Sequence, residues 1–264
     1  MHPDLDASFV CTRCGTFGCP ACTFSAVEKR EVCRACAQKG LGEPIPWERR
    51  KELGNWRAFW STVQLCSRSP TAFFRTPTTQ ASSLGAVAHG VLSHTLGLVL
   101  TYLVTGALLM LSGGAIALIG QDDASSIVGI FFGAYGCAFA GMSPFALVAG
   151  PASALLGIVV AAAASHGTLA LLKKTGASFE DTLRALSYAN APGVWVFVPL
   201  VGSLTYFWMV GVEVIALRET HRCSTDAAVV AAVAYRVILV VVLVGLYAAL
   251  IGAFFYAEQS RMGA

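Results

Sequence analysis

Apolar and polar positions are segregated along this chain rather than interleaved. No Asp, Glu, Lys or Arg occurs in the 46 residues from Thr76 to Gln121, the 49 from Ala124 to Leu172, the 28 from Ala185 to Val212 or the 21 from Val237 to Ala257. A bilayer core takes about 20 apolar residues per helix. These runs therefore predict transmembrane helices near 87–119, 127–149, 151–172, 193–217 and 228–256. Asp122 and Asp123 mark the first exit, Gly150-Pro151 a tight turn between the second and third helices, and Lys173-Lys174 the end of the third. Gly129 and Gly133, with Gly136 and Gly141 beyond, predict close packing of the second helix on a neighbour. Ser178 and Asp181 have the spacing of a capping box and open a short amphipathic helix that ends before Pro192.

The pattern differs ahead of the first run. Residues 1–40 contain no apolar stretch, so no cleavable leader is expected. Gly40 to Pro46 holds two glycines and two prolines and reads as a linker. Over 47–67, Leu53, Trp56, Trp60 and Val63 recur at helical spacing beside Arg49, Arg50, Lys51 and Arg57. Trp47, Trp56 and Trp60 with these arginines predict an interfacial helix in the headgroup layer; the competing reading packs the helix on the head or the bundle. Cys66, alone near this interface, is either an unmodified thiol or an acylation site.

Composition agrees with the pattern. Of 264 residues, 56% are hydrophobic and 12% charged, with mean hydropathy +0.66; soluble domains carry roughly 25% charged residues. The expected fold class is an all-α polytopic membrane protein of about five transmembrane helices with a small N-terminal zinc-binding domain. The divisions are 1–40 for the zinc head, 41–85 for linker and interfacial helix, and 86–264 for the transmembrane domain. Eleven of the 18 basic residues and seven of the 15 acidic ones lie in 1–85, a bias that predicts a cytoplasmic N-terminus. Within 1–60 nine basic groups face seven acidic ones, too even a balance for nucleic-acid binding.

Six of the nine cysteines form three Cys-x-x-Cys pairs: Cys11/Cys14, Cys19/Cys22 and Cys33/Cys36. Reducing cytosol disfavours disulfides, and such turns present two thiolates to one tetrahedral ion, which suits zinc. The segment's aromatics are few (Phe9, Phe17 and Phe24), so metal is expected to supply most of its folding energy. The series His2, Cys11/Cys14, Cys19/Cys22, Cys33/Cys36 resembles the B-box and related cross-brace zinc fingers. That resemblance implies one all-thiolate site of Cys11, Cys14, Cys33 and Cys36, and a second of Cys19, Cys22 and His2. The second lacks a ligand: Asp4, Asp6, water or sequence ahead of Met1 completes it, or it stays empty.

Three further stretches are similar to the Yip-domain membrane family. They are Gly176-Ala-Ser-Phe-Glu-Asp-Thr-Leu-Arg-Ala-Leu-Ser-Tyr-Ala-Asn-Ala-Pro192, then Trp208-x4-Glu213-Val-Ile-Ala-Leu-Arg-Glu-x-His221-x-x-Ser224, and Ile45-Pro-Trp-Glu48 followed by Leu53-Gly-x-Trp-x-Ala-Phe-Trp60. The last, behind a Cys-rich head, resembles a bacterial subgroup and implies a bacterial inner membrane. The resemblance implies five spans and a cytoplasmic N-terminal region. Eukaryotic relatives associate with small GTPases and vesicle traffic, but their Asp-Leu-Tyr-Gly-Pro motif is absent, Glu52-Leu-Gly54 being its remnant, so that partnership does not carry over. Five alternating spans leave Lys173, Lys174 and Arg184 on the side opposite the N-terminus and Arg218 and Arg222 on the same side; a six-span division puts Lys173 inside but Arg218 outside. Charge does not choose between them, and the resemblance favours five.

Glu213, near the end of the fourth span, and Arg236, early in the fifth, fall at similar depth and predict an intramembrane ion pair. His89, His94 and His166 either share a metal or proton site or bond singly within the bundle. The expected function is a non-enzymatic membrane adaptor or scaffold, in membrane organisation or trafficking. Its partners are the lipid bilayer and a cytoplasmic protein bound by the zinc head, with one or two zinc ions. The alternative is a small-molecule or metal transporter with the head as zinc sensor. The metalloprotease, P-loop and nucleophile-elbow motifs are absent from the sequence.

Overall fold

The structure, a computed structural model, describes residues 7–11, 15–26, 30–38, 45–75, 82–120 and 122–262. The head is built from two hairpins. Strands β1 (Phe9–Val10) and β2 (Phe17–Gly18) pair antiparallel, as do β3 (Thr23–Ala26) and β4 (Arg30–Cys33), and the short helix α1 (Arg34–Gln38) follows β4 directly. Gly15, at φ +72°, supplies the left-handed residue of the first turn and donates its N–H to the Cys11 carbonyl at 2.9 Å.

The remaining described residues are mostly helical. After a 3-10 turn (Pro46–Arg49) come α2 (Arg50–Leu53), α3 (Asn55–Arg68) and α4 (Pro70–Phe74), then α5 (Ser83–Ile119), α6 (Asp123–Gly141) and α7 (Ser143–Leu171). Helix α8 (Phe179–Ala189) leads through a 3-10 turn (Ala191–Phe197) to α9 (Val201–His221) and α10 (Thr225–Met262). Among the described residues five helices, α5, α6, α7, α9 and α10, are long and apolar enough to cross a membrane. Most of their large apolar side chains, such as Leu111, Phe131, Val148, Phe207 and Val241, remain exposed, as lipid contact requires.

Two boundaries differ from expectation. The break after the second span falls at Met142 rather than at Gly150-Pro151. Pro144 cannot donate to the Ala140 carbonyl, which accepts from Ser143 Oγ at 2.8 Å instead, and the helix breaks there. Pro151 lies inside α7. The fourth span begins at Val201 rather than near 193, because Ala191–Phe197 is a tighter turn buried in the bundle.

Helices α6 and α7 follow one another in the same direction along α5. Gly113 faces Gly129, Gly106 faces Gly136 and Ala140, Thr95 faces Gly150, and Gly90 faces Ile158. A β-carbon on Gly106 would stand 2.7 Å from the Ala140 nitrogen, and one on Gly136 would stand 2.7 Å from the Gly106 carbonyl. The touching glycines are thus seven residues apart on both helices, the repeat that keeps one face toward an antiparallel partner. The four-residue pair of the sequence meets Gly113 together, a β-carbon on which would stand 2.6 Å from both the Gly129 carbonyl and the Gly133 nitrogen, whereas a β-carbon on Gly133 itself would meet nothing within 4 Å.

One end of the bundle carries a cap. Helix α8 starts with a complete capping box between Ser178 and Asp181 and runs alongside α5 in the same direction: Glu180 accepts from Ser83 Oγ at 2.6 Å, and Gly90 and Gly97 lie against the Ser187 and Gly193 carbonyls. Helix α9 returns antiparallel, so that His221 meets Gly176 and Glu219 meets Arg75 at 2.8 Å. Lys173 and Lys174 therefore lie at the same end as Arg75, Arg218 and Arg222. Helices α6 and α7 run the same way along α5, so the five apolar helices do not alternate strictly in direction.

Gly106→Leu should force α5 and α6 apart and lower stability by roughly 1–3 kcal/mol. Gly133→Leu should leave it unchanged. Thermal unfolding of the two variants in detergent checks the difference.

Candidate functional site

The head places three sulfurs around one point. Cys11 leaves β1, Cys33 ends β4 and Cys36 sits in α1, and their Sγ atoms lie within 4.8 Å of one another. Cys11 and Cys36 are buried beside Phe9, and the Cys33 N–H points at Cys11 Sγ at 3.3 Å, a donor that favours thiolate. Two sulfurs 2.3 Å from a tetrahedral ion stand about 3.8 Å apart, so this cluster can hold a metal ion. Cys14 lies outside the described residues, as do His2, Asp4 and Asp6. Cys19 and Cys22 are brought together separately, their sulfurs 3.5 Å apart around the turn Pro20–Cys22.

The three tryptophans of the connector part company. Trp47 is buried: its backbone N–H donates to Thr62 Oγ1 at 2.9 Å and its indole N–H to the Gly85 carbonyl at 2.7 Å, with the Arg50 guanidinium 5.1 Å over the ring. Trp60 is half-buried against Trp195, with ring centroids 5.8 Å apart, and Trp56 is 68% exposed. Helix α3 thus packs its Ala58, Phe59, Val63 and Cys66 face on the bundle. His89 sits fully buried between the rings of Trp47, Phe59 and Tyr188, at 5.1–5.5 Å.

A polar clamp, unseen in the sequence, joins connector to α8. Glu48 pairs with Arg184, both nearly enclosed, and the Tyr188 hydroxyl donates to Glu48 Oε1 at 3.4 Å. Burial, then the Glu48 charge, pushes the Tyr188 phenol well above its ordinary pKa. The Cys66 thiol donates to the Tyr188 carbonyl at 3.3 Å, and burial raises its pKa likewise. A thiol enclosed in this way is closed to acylation. Only the Pro-Trp-Glu string hinted at the clamp, since its partner lies 136 residues away.

Within the helices Glu213 and Arg236 meet at 2.8 Å. Arg236 Nη1, which bears two N–H groups, donates one to the Ala232 carbonyl at 2.6 Å while forming the ion pair with Glu213 Oε2, and Tyr235 donates to Glu213 Oε1 at 3.4 Å. The three expected histidines are not gathered. His94 is half-buried, His89 lies in its aromatic cage, and His166 pairs through Thr182 Oγ1 with His221, both at 2.9 Å. Gly176 N–H donates to His221 Nδ1 and Thr182 donates to the Ser178 carbonyl, which places the His221 proton on Nε2.

Arg236→Ala should leave Glu213 buried without its counter-ion and destabilise the fold by about 3–5 kcal/mol. Adding Glu213→Gln should recover much of the loss. Unfolding midpoints of the single and double variants in detergent measure this coupling.

No curated protein and no solved structure matches the chain significantly. The family model described as Yip1 domain matches residues 64–249, from the middle of α3 to far into α10. That match takes in α5, α6, α7, α9, most of the apolar part of α10 and the α8–α9 signature, and the chain belongs to the Yip1 domain family of integral membrane proteins.

Proposed function

We propose that the protein is a non-enzymatic adaptor whose zinc-bound head docks a cytoplasmic protein while the helical bundle holds it in a bacterial inner membrane. The family is generally non-enzymatic, which supports the reading. The observation that carries it is the convergence of Cys11, Cys33 and Cys36 from two separate hairpins. Among the described residues the head's buried apolar cluster is Phe9 with cysteines around it, which supports sulfur–metal bonds as its means of folding. Cys14 completes the tetrahedral set, and Cys19, Cys22 and His2 offer a second site. Zinc here orders a binding surface: thiolates that close the coordination shell leave no position for a reacting water. Trp56 then lies at the headgroup layer, with Trp47 as the pin that fixes its helix to the bundle and Trp60 held against Trp195.

Purified full-length protein should carry one or two zinc per chain, and Cys33→Ser/Cys36→Ser should lose at least one by elemental analysis. Absence of zinc from the unaltered chain would overturn the proposal. Chelation should open 1–40 to protease while leaving the helical far-ultraviolet signal of the bundle in place. In proteoliposomes containing a zinc-sensitive dye, the adaptor reading predicts no uptake above protein-free vesicles; protein-dependent uptake would favour the transporter.

A further inference from the structure

We propose that α8, the turn Ala191–Phe197 and α9 form a hairpin that enters and leaves the bilayer through one face, the cytoplasmic face that also carries the connector, where it meets anionic headgroups. This rests on membrane integration and not on the zinc head.

Chain direction is the first ground. Helix α8 descends beside α5, through Glu180 at Ser83, Ser187 at Gly90 and the Gly193 carbonyl at Gly97, and α9 climbs back until Glu219 reaches Arg75 and His221 reaches Gly176. Both loops flanking the hairpin, 172–178 and 222–224, therefore lie beside the connector. The chemistry of the tip is the second. Pro199, Leu200, Val201 and Leu204 are exposed, Leu200 to 91%. Irregular backbone survives in lipid only where its polar groups bond internally. Here Val198 N–H donates to the Trp195 carbonyl at 3.1 Å, Val201 N–H to Pro199 and Gly202 N–H to Val198, both at 2.7 Å, while Pro199 has no N–H to satisfy. Three of the turn's N–H groups are bonded within it and its outward side chains are apolar, which suits lipid better than water.

Charge supplies the third ground and the orientation. The segments 45–75, 172–184 and 218–226, which share this end, hold eleven Lys and Arg against six Asp and Glu. The α5–α6 turn at the other end holds Asp122 and Asp123. Lys and Arg near short loops stay on the cytoplasmic side and attract its anionic lipids. The basic pairs Lys173-Lys174 and Arg218/Arg222, which alternating spans place on opposite faces, thus come to one face. In this arrangement α5 crosses outward, α6 and α7 together cross back, and α10 crosses outward again.

The test uses full-length chains bearing Arg57→Cys, Lys174→Cys, Thr175→Cys, Asp122→Cys or Leu200→Cys, treated with a membrane-impermeant maleimide in inside-out and right-side-out vesicles. Intact mass counts the label gained over the unaltered chain. The substitutions at 57, 174 and 175 should gain a label only in inside-out vesicles and that at 122 only in right-side-out ones. Leu200→Cys should gain one only after detergent is added. Labelling of 174 and 175 from the face that labels 122, or of 200 from either face without detergent, would overturn the hairpin. A reaction in detergent shows each new thiol to be competent, so silence in vesicles reads as burial in lipid.

Discussion

A charged side chain costs several kcal/mol in hydrocarbon, and this chain obeys that constraint with very few charges to place. Those of residues 45–226 outside the α5–α6 turn gather at one end of the bundle, apart from Glu213, which is neutralised by Arg236 across the α9–α10 hairpin. The gathering is possible because α6 and α7 run the same way, which brings Lys173 and Lys174 to the connector's end. The clamp from Glu48 to Arg184 and Tyr188 then satisfies the most enclosed charges of that end against one another.

The two halves of the bundle are held by different means. Away from the cap, α5 and α6 touch backbone to backbone through Gly106, Gly113, Gly129 and Gly136. Lipid tails are as apolar as leucine, so close van der Waals contact replaces hydrophobic burial there. At the cap, Trp47, Phe59, Phe73, His89 and Tyr188 interlock as in a soluble core. The connector joins this core through Trp47, Phe59 and Val63.

Much of this was legible in the sequence. The long runs without charge read as helices in lipid, since about 20 consecutive apolar residues match a helical crossing while a barrel strand takes about ten, and the Ser178–Asp181 capping box is local. The Glu213–Arg236 contact could be read from depth alone, because a hairpin of two helices relates positions by simple counting. The clustering of Cys11 with Cys33 and Cys36 came by resemblance to cross-brace fingers rather than from spacing.

What the sequence by itself determined is therefore composition-driven: membrane integration, helical class, and a cysteine head too poor in apolar residues to fold by burial. The tertiary structure decided direction and partnership. Whether a proline turns a chain or is carried inside a helix depends on its surroundings: the helix breaks at Met142 ahead of Pro144, while Pro151 stays within α7, whose Gly150 packs on Thr95 of α5. Trp47 has the same flanking residues whether it lies in headgroups or in a core; only the arrival of Gly85, Phe59 and His89 around it settles which. Glu48 and Arg184, 136 residues apart, find each other through the same packing, which no local pattern records.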